Sequence, residues 1–159
     1  MKPMTMNITG MTLTILSFSM LFAALTPGAH AATCTPSNVA GNWGYTYTGT
    51  LFLPSGPVLL AAVGRYTADA DGNLSGTQTR SVAGATAQEV IKGVATLNPD
   101  CTSTATVGVY DQSGNLLRTA VVAGVYVNNG KEIRDIFQSL VLPDGTTLPV
   151  VITGDAKKQ

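Results

Sequence analysis

Seven turn signals recur along the chain at intervals of about fifteen residues: Pro54-Ser55-Gly56-Pro57, Asp71-Gly72-Asn73, Ala83-Gly84-Ala85, Asn98-Pro99-Asp100, Ser113-Gly114-Asn115, Asn128-Asn129-Gly130 and Pro143-Asp144-Gly145. Gly, Asn, Asp and Pro supply the backbone angles that tight connections demand, and they interrupt helices. The segments between them are rich in Val, Thr, Tyr and Ile and sustain no helical period. Seven turns separate eight strands, predicted at 42–53, 58–68, 74–82, 88–97, 102–111, 116–127, 132–142 and 147–154. Short connections join antiparallel neighbours, so the expected fold is all-β: an eight-stranded antiparallel up-and-down barrel, whose closure leaves no edge exposed. The alternative, a β-sandwich, asks for longer crossover connections than the sequence offers.

The first residues are set aside from this pattern. Lys2 precedes an apolar run over 11–25, which is followed by the small-residue stretch Pro27-Gly28-Ala29-His30-Ala31. This is the layout of a secretory signal peptide covering 1–31, with cleavage after Ala31. The apolar run falls short of the roughly 20 residues that span a bilayer as a helix, which argues against a retained anchor. Ala31 and Thr33 also suit a lipid-attachment site at Cys34 poorly. Residues 32–159 are then expected to form a single β-barrel domain, long enough to bury about two thirds of its surface.

Beyond Ala31 the chain carries eight basic and nine acidic side chains and no histidine. Near neutrality it offers no basic patch, so neither nucleic acid nor a membrane surface is expected as a partner. A lack of histidine excludes the usual Ser–His and Cys–His nucleophiles, histidine-containing zinc sites and histidine general bases. No metal or cofactor is expected. The cysteines, Cys34 and Cys101, are read as one disulfide that staples the new N-terminus to a strand end behind the turn at 98–100. A reactive thiol is the other use of a cysteine, but nothing nearby in the sequence would depress its pKa. Export places the protein in the periplasm or outside the cell.

Eight strands of this length also suit a membrane-spanning barrel, whose outside is apolar and belted by aromatic residues. Ser75, Thr77, Thr79 and Ser81 on one face of the third strand, and the scarcity of aromatics, favour a water-soluble barrel. Alternation with period two then assigns faces. It turns Trp43, Tyr45, Tyr47 and Leu51 inward on the first strand, and Leu60, Ala62, Gly64 and Tyr66 on the second. On the sixth the inward set is Leu117, Val121, Ala123 and Val125, and on the seventh Ile133, Asp135, Phe137 and Val141. The third strand, with its hydroxyls outward, sends Leu74, Gln78, Arg80 and Val82 inside, and the fourth sends Glu89 and Ile91.

Charges are thereby placed in the interior. Arg80, Glu89 and Asp135 form a candidate ionic cluster edged by Gln78 and the tyrosines, because unpaired charges there would cost several kcal/mol each. One reading makes the cluster the polar end of a cavity walled by Trp43, Tyr45, Tyr47, Tyr66 and Phe137, with Ala62, Gly64, Ala105 and Ala123 leaving space. The other makes it a buried salt bridge beneath a filled aromatic core. Eight-stranded barrels lie at the boundary between filled interiors and interiors that hold one small ligand.

Gly41-Asn42-Trp43 resembles the glycine-x-tryptophan opening of lipocalins, which implies a barrel for small apolar molecules. The strand count is similar to that of calycin and allene-oxide-cyclase barrels, a likeness of architecture that transfers no function. The segments "CTPSNVAGNWGYTYTG", "AAVGRYTADADGNLSG", "NPDCTSTATV", "NGKEI" and "VITGDAKKQ" resemble a family of small exported bacterial β proteins of unknown function. That resemblance implies secretion and a single β domain, and carries over no catalytic residues.

Three functions follow as expectations. The first is a binding module for a small, mostly apolar ligand. The second is an isomerase or cyclase using Glu89 or Asp135, with a pKa raised by burial. The third is a surface protein with a filled core. The intact mass of the exported protein tests the boundary: it should begin at Ala32 and lie two hydrogens below the reduced mass. A mass that retains residues 1–31 refutes the cleavage.

Overall fold

The computed structural model describes residues 34–159; the signal peptide expected over 1–31 lies outside the described residues. A one-turn helix, α1 (Pro36–Val39), precedes eight strands: β1 (Gly41–Leu53), β2 (Gly56–Ala68), β3 (Asn73–Val82), β4 (Ala85–Leu97), β5 (Thr102–Tyr110), β6 (Leu116–Val127), β7 (Glu132–Val141) and β8 (Val150–Lys158). Each strand pairs antiparallel with the next, and β8 returns to β1, closing the up-and-down barrel. The ladders run nearly the full length of their strands, with one exception. β7 and β8 pair only between residues 132–136 and 153–157, and beyond them the two strands part.

The turns show why the chain reverses where it does. In the β2–β3 turn Gly72 takes φ 86°, a conformation that side chains disfavour. Asp69 Oδ1 accepts the backbone N–H groups of Asp71 (2.9 Å) and Asn73 (2.8 Å), and Oδ2 accepts the Asn73 amide (2.8 Å). The β5–β6 turn repeats this arrangement with Asp111, Gly114 and Asn115. Acidic residues that look like surface charge in the sequence thus satisfy turn backbone.

Three sequence expectations are corrected. The eighth strand is not 147–154 but Val150–Lys158. Proline cannot donate to a ladder, and Pro149 ends a turn in which Thr147 bridges Val141 and Leu148 N–H bonds Leu140 O. The Gly154-Asp155-Ala156-Lys157-Lys158 ending, polar in composition, is a strand that buries Ile152, Gly154 and Ala156 on alternate positions.

From Arg118 onward the inward face of β6 is also the opposite of the expected Val121, Ala123 and Val125, while Leu117, at a bulge, borders the interior at the far end of the barrel. Arg118 and Ala120 are buried, and Val122, Gly124 and Tyr126 line the interior. Both faces of this strand are apolar, so alternation alone does not fix its phase. A bulge does: Val109 pairs with Arg118 and Tyr110 with Leu116, leaving Leu117 extra. A second bulge on β7 pairs Val121 with Ser139 but Val122 with Phe137. Past it Leu140 points inward in place of Val141.

Two apolar clusters hold the barrel. One contains Tyr47, Leu51, Leu60, Ala62, Ala120, Leu140 and Ile152. The other, at the end where β1 begins, contains Val39, Trp43, Ala68, Ile133 and Ala156. Here α1 closes the barrel. Trp43 Nε1 donates to Val39 O at 3.0 Å, and Lys158 Nζ donates to Asn38 O at 2.9 Å. The expected Cys34–Cys101 disulfide is present, with 5.0 Å between Cα atoms and 67 residues of separation. It fastens the segment before α1 to the β4–β5 turn, where Asp100 Oδ1 accepts both Thr102 N–H (3.0 Å) and Thr102 Oγ1 (2.7 Å).

Closing a loop of this length contributes about 4 kcal/mol in the chain-entropy model. The Cys34→Ser, Cys101→Ser double variant should therefore lose about 2–4 kcal/mol in denaturant melts, and its Trp43 indole N–H should exchange faster with solvent. Unchanged stability would show that α1 holds its place without the staple.

Candidate functional site

The β3–β4 register sets Gln78 directly across from Glu89. Glu89, 1 % exposed, is met by three side chains from two other strands, β3 and β6. Arg118 on β6 donates Nη1 to Oε1 (2.9 Å) and Nη2 to Oε2 (2.6 Å), and Arg80 donates Nε to Oε1 (2.9 Å). Gln78 Nε2 donates to Oε2 at 2.6 Å and to the Tyr47 hydroxyl at 3.0 Å, while Gln78 Oε1 accepts the Tyr45 hydroxyl at 2.7 Å. Burial pushes the Glu89 carboxyl up; hydrogen bonds from Arg118 and Gln78, the Arg118 charge and the Arg80 bond outweigh it and hold the group down at about 2. The carboxylate is fully engaged.

Asp135 stands apart from this network, so the expected Arg80–Glu89–Asp135 cluster does not form; Arg118 occupies the third place. The cross-strand neighbours of Asp135 are Gly124 on β6 and Gly154 on β8. A Cβ on Gly154 would collide with Asp135 Oδ1, so only glycine lets the carboxyl lie against the β8 backbone. Oδ1 is buried and, among the described residues, has no hydrogen-bond partner. Burial, with a smaller push from the Asp155 charge, raises Asp135 to about 6.

A cavity of about 120 Å³ reaches from Gln78 and Arg118 to Ile133 and Ala156. One wall is aromatic: Tyr45, Tyr47, Tyr66, Tyr126 and Phe137. Facing it, β4 and β5 present Ala95, Ser103, Ala105 and Val107, and this run of short side chains is what leaves the space. Tyr45 and Tyr66 are both pushed up by burial, and the charge of Asp135 adds to the rise in each.

Of the residues predicted from sequence, Tyr45, Tyr47, Tyr66, Gln78, Asp135 and Phe137 line the cavity. Trp43, Arg80 and Glu89 do not. Trp43 is wholly buried in the end cluster, stacked on Tyr66 (6.2 Å between centroids, 7° between planes) with Tyr126 edge-on at 5.8 Å. Glu89 lies behind Gln78 and Arg118, and Arg80 faces the other end of the barrel beside Leu117 and Leu142. Ala105 borders the cavity as expected, whereas Ala62, Gly64 and Ala123 do not. Sequence reading missed Arg118 and Tyr126. Small and apolar residues occupy both faces of β6, so the pattern carries no signal for either.

Opposite pH dependences follow. Glu89 sits below its unfolded value of 4.5, so its stabilisation is complete above that pH and is lost as pH falls toward about 2. Asp135 sits above its unfolded value of 3.8, so the folded state keeps a proton that the unfolded chain has released, and stability declines as pH rises through about 6. Glu89→Gln should cost about 3–5 kcal/mol at neutral pH by stranding Arg118. Asp135→Asn should gain about 1–2 kcal/mol at about pH 7.5, with the gain vanishing below about pH 4. Chemical denaturation across this range checks both signs, and a destabilised Asp135→Asn at neutral pH would contradict the isolation of the carboxyl.

No protein-family model and no curated protein matches the chain. Among solved structures it is similar to a redesigned beta barrel, mFAP1, bound to DFHBI, with a TM-score of 0.50 and 17% sequence identity over 78% of this chain and 98% of that one. The likeness is one of fold: a barrel of this kind, with no family membership attached.

Proposed function

We propose that the barrel binds a small, mostly apolar molecule in its interior. The cavity carries this reading, because it is bounded by aromatic and small aliphatic side chains with few polar groups, the usual make-up of small-molecule sites. At about 120 Å³ it is close to an engineered apolar cavity of about 150 Å³ that accepts benzene. The guest is therefore a single ring, or an aliphatic group of that size, with a short substituent. The binding of DFHBI by mFAP1 supports small-molecule binding by this architecture. A disulfide suits an oxidising compartment, and with the leader read from the sequence it supports a secreted binder, periplasmic or extracellular.

A second reading, acid–base catalysis of the isomerase or cyclase kind, rests on Asp135 alone. Glu89 is held ionised with both oxygens occupied, whereas a carboxyl near 6 beside a cavity is poised to exchange a proton.

Ala105 gives the direct test, since a larger side chain there would take up the guest's space. Toluene should raise the melting temperature of the wild type, by the equivalent of about 2.7 kcal/mol at a hundredfold excess over Kd. Ala105→Phe, or the smaller Ala105→Leu, should stay folded and lose that response. A response that survives in both variants would move the guest out of the interior, and a wild type indifferent to toluene would favour a filled barrel working through its surface.

A further inference from the structure

We propose that the cavity selects a cationic amine, a protonated primary or secondary amine on a compact apolar body, and that Asp135 is its anchor. This rests on the interior-binding reading and names the class of guest. The interior holds a carboxyl for which the described residues supply no counter-charge. Arg118 and Arg80 are spent on Glu89, the Tyr45 hydroxyl on Gln78, and Arg134, next in sequence, pairs outside the barrel with Asp155. The strand positions on either side are glycines, from which no side chain could reach the carboxyl or cover it. A charge left so must take its partner from a guest or give up ionisation.

The rest of the cavity favours the same chemistry. Tyr45, Tyr66, Tyr126 and Phe137 line the space that Asp135 borders, and aromatic rings attract cations over their faces. A guest carboxylate would meet repulsion from Asp135, and a purely apolar guest would leave it unpaired. The titratable and charged groups that share the cavity with Asp135 or act on it are Tyr45 from β1, Tyr66 from β2, Tyr126 and the Glu89-bound Arg118 from β6 and, on the outer face of β8, Asp155. All three tyrosines are pushed up by burial and stay neutral. Asp135, raised to about 6, is the group whose ionisation changes near neutrality, so amine binding should strengthen as pH rises through that value.

Calorimetric titration of the folded protein with benzylammonium, benzyl alcohol and benzoate decides the matter. At about pH 7.5 benzylammonium should bind about tenfold or more tightly than benzyl alcohol, the range of a charge-assisted hydrogen bond. The preference should shrink several-fold at about pH 5, where Asp135 is protonated. Asp135→Asn, confirmed as folded by circular dichroism, should bring benzylammonium down to the level of benzyl alcohol. Equal affinities in the wild type, a preference for benzoate, or an amine preference that persists in Asp135→Asn would each overturn the assignment while leaving interior binding intact. Failure of all three compounds to bind would overturn the interior reading with it.

Discussion

Inside a barrel a carboxylate stays ionised into the acid range only where donors surround it, and Glu89 is surrounded by two guanidiniums and an amide. These bonds tie β4 to β3 and β6, and through Gln78 they extend to Tyr45 and Tyr47 on β1. The network fixes which residues of four strands face inward, and through Tyr45 it touches both apolar clusters. Replacing one member leaves others buried and unpaired, the costly case for interior charge. An interior that looks polar by composition is in this way a fixed internal wall, and the cavity lies against it.

Much of this was legible in the sequence. The turn at 69–73 and its counterpart at 111–115 announce themselves by Asp, Gly and Asn, whose side chains and backbone preferences act locally. β1 to β3 alternate cleanly enough that Tyr45, Tyr66, Gln78 and Arg80 were assigned inward from the pattern. β6 was not, because Val and Ala occupy both of its faces and a bulge at Leu117, invisible in composition, selects between them. Arg118 was the casualty, since period alone sends a lone arginine outward unless its partner across the barrel is known. The separation of Asp135 from Glu89 was equally hidden. Both point inward, yet strand tilt and register decide which interior charges meet, and these depend on the whole closed sheet.

The barrel's two halves divide the work of stability and space. Long side chains on β1, β2 and β7 fill one side, and short ones on β4 and β5 line the other. Neither set specifies a cavity alone; the void exists because the aromatic rings are anchored, by Gln78 for Tyr45 and Tyr47 and by Trp43 for Tyr66, and cannot lean across it. Rigid walls of this kind lose little freedom when a guest arrives.

The short β7–β8 ladder bears on traffic. The end where α1 packs is stapled by the disulfide, so an interior guest, as proposed above, would leave more readily elsewhere. Beyond residues 136 and 153 the last two strands share no backbone hydrogen bonds, and the fewest bonds need break there for the wall to part. Residence time would then be set by how often this seam breathes, and two guests of unequal affinity could depart at similar rates.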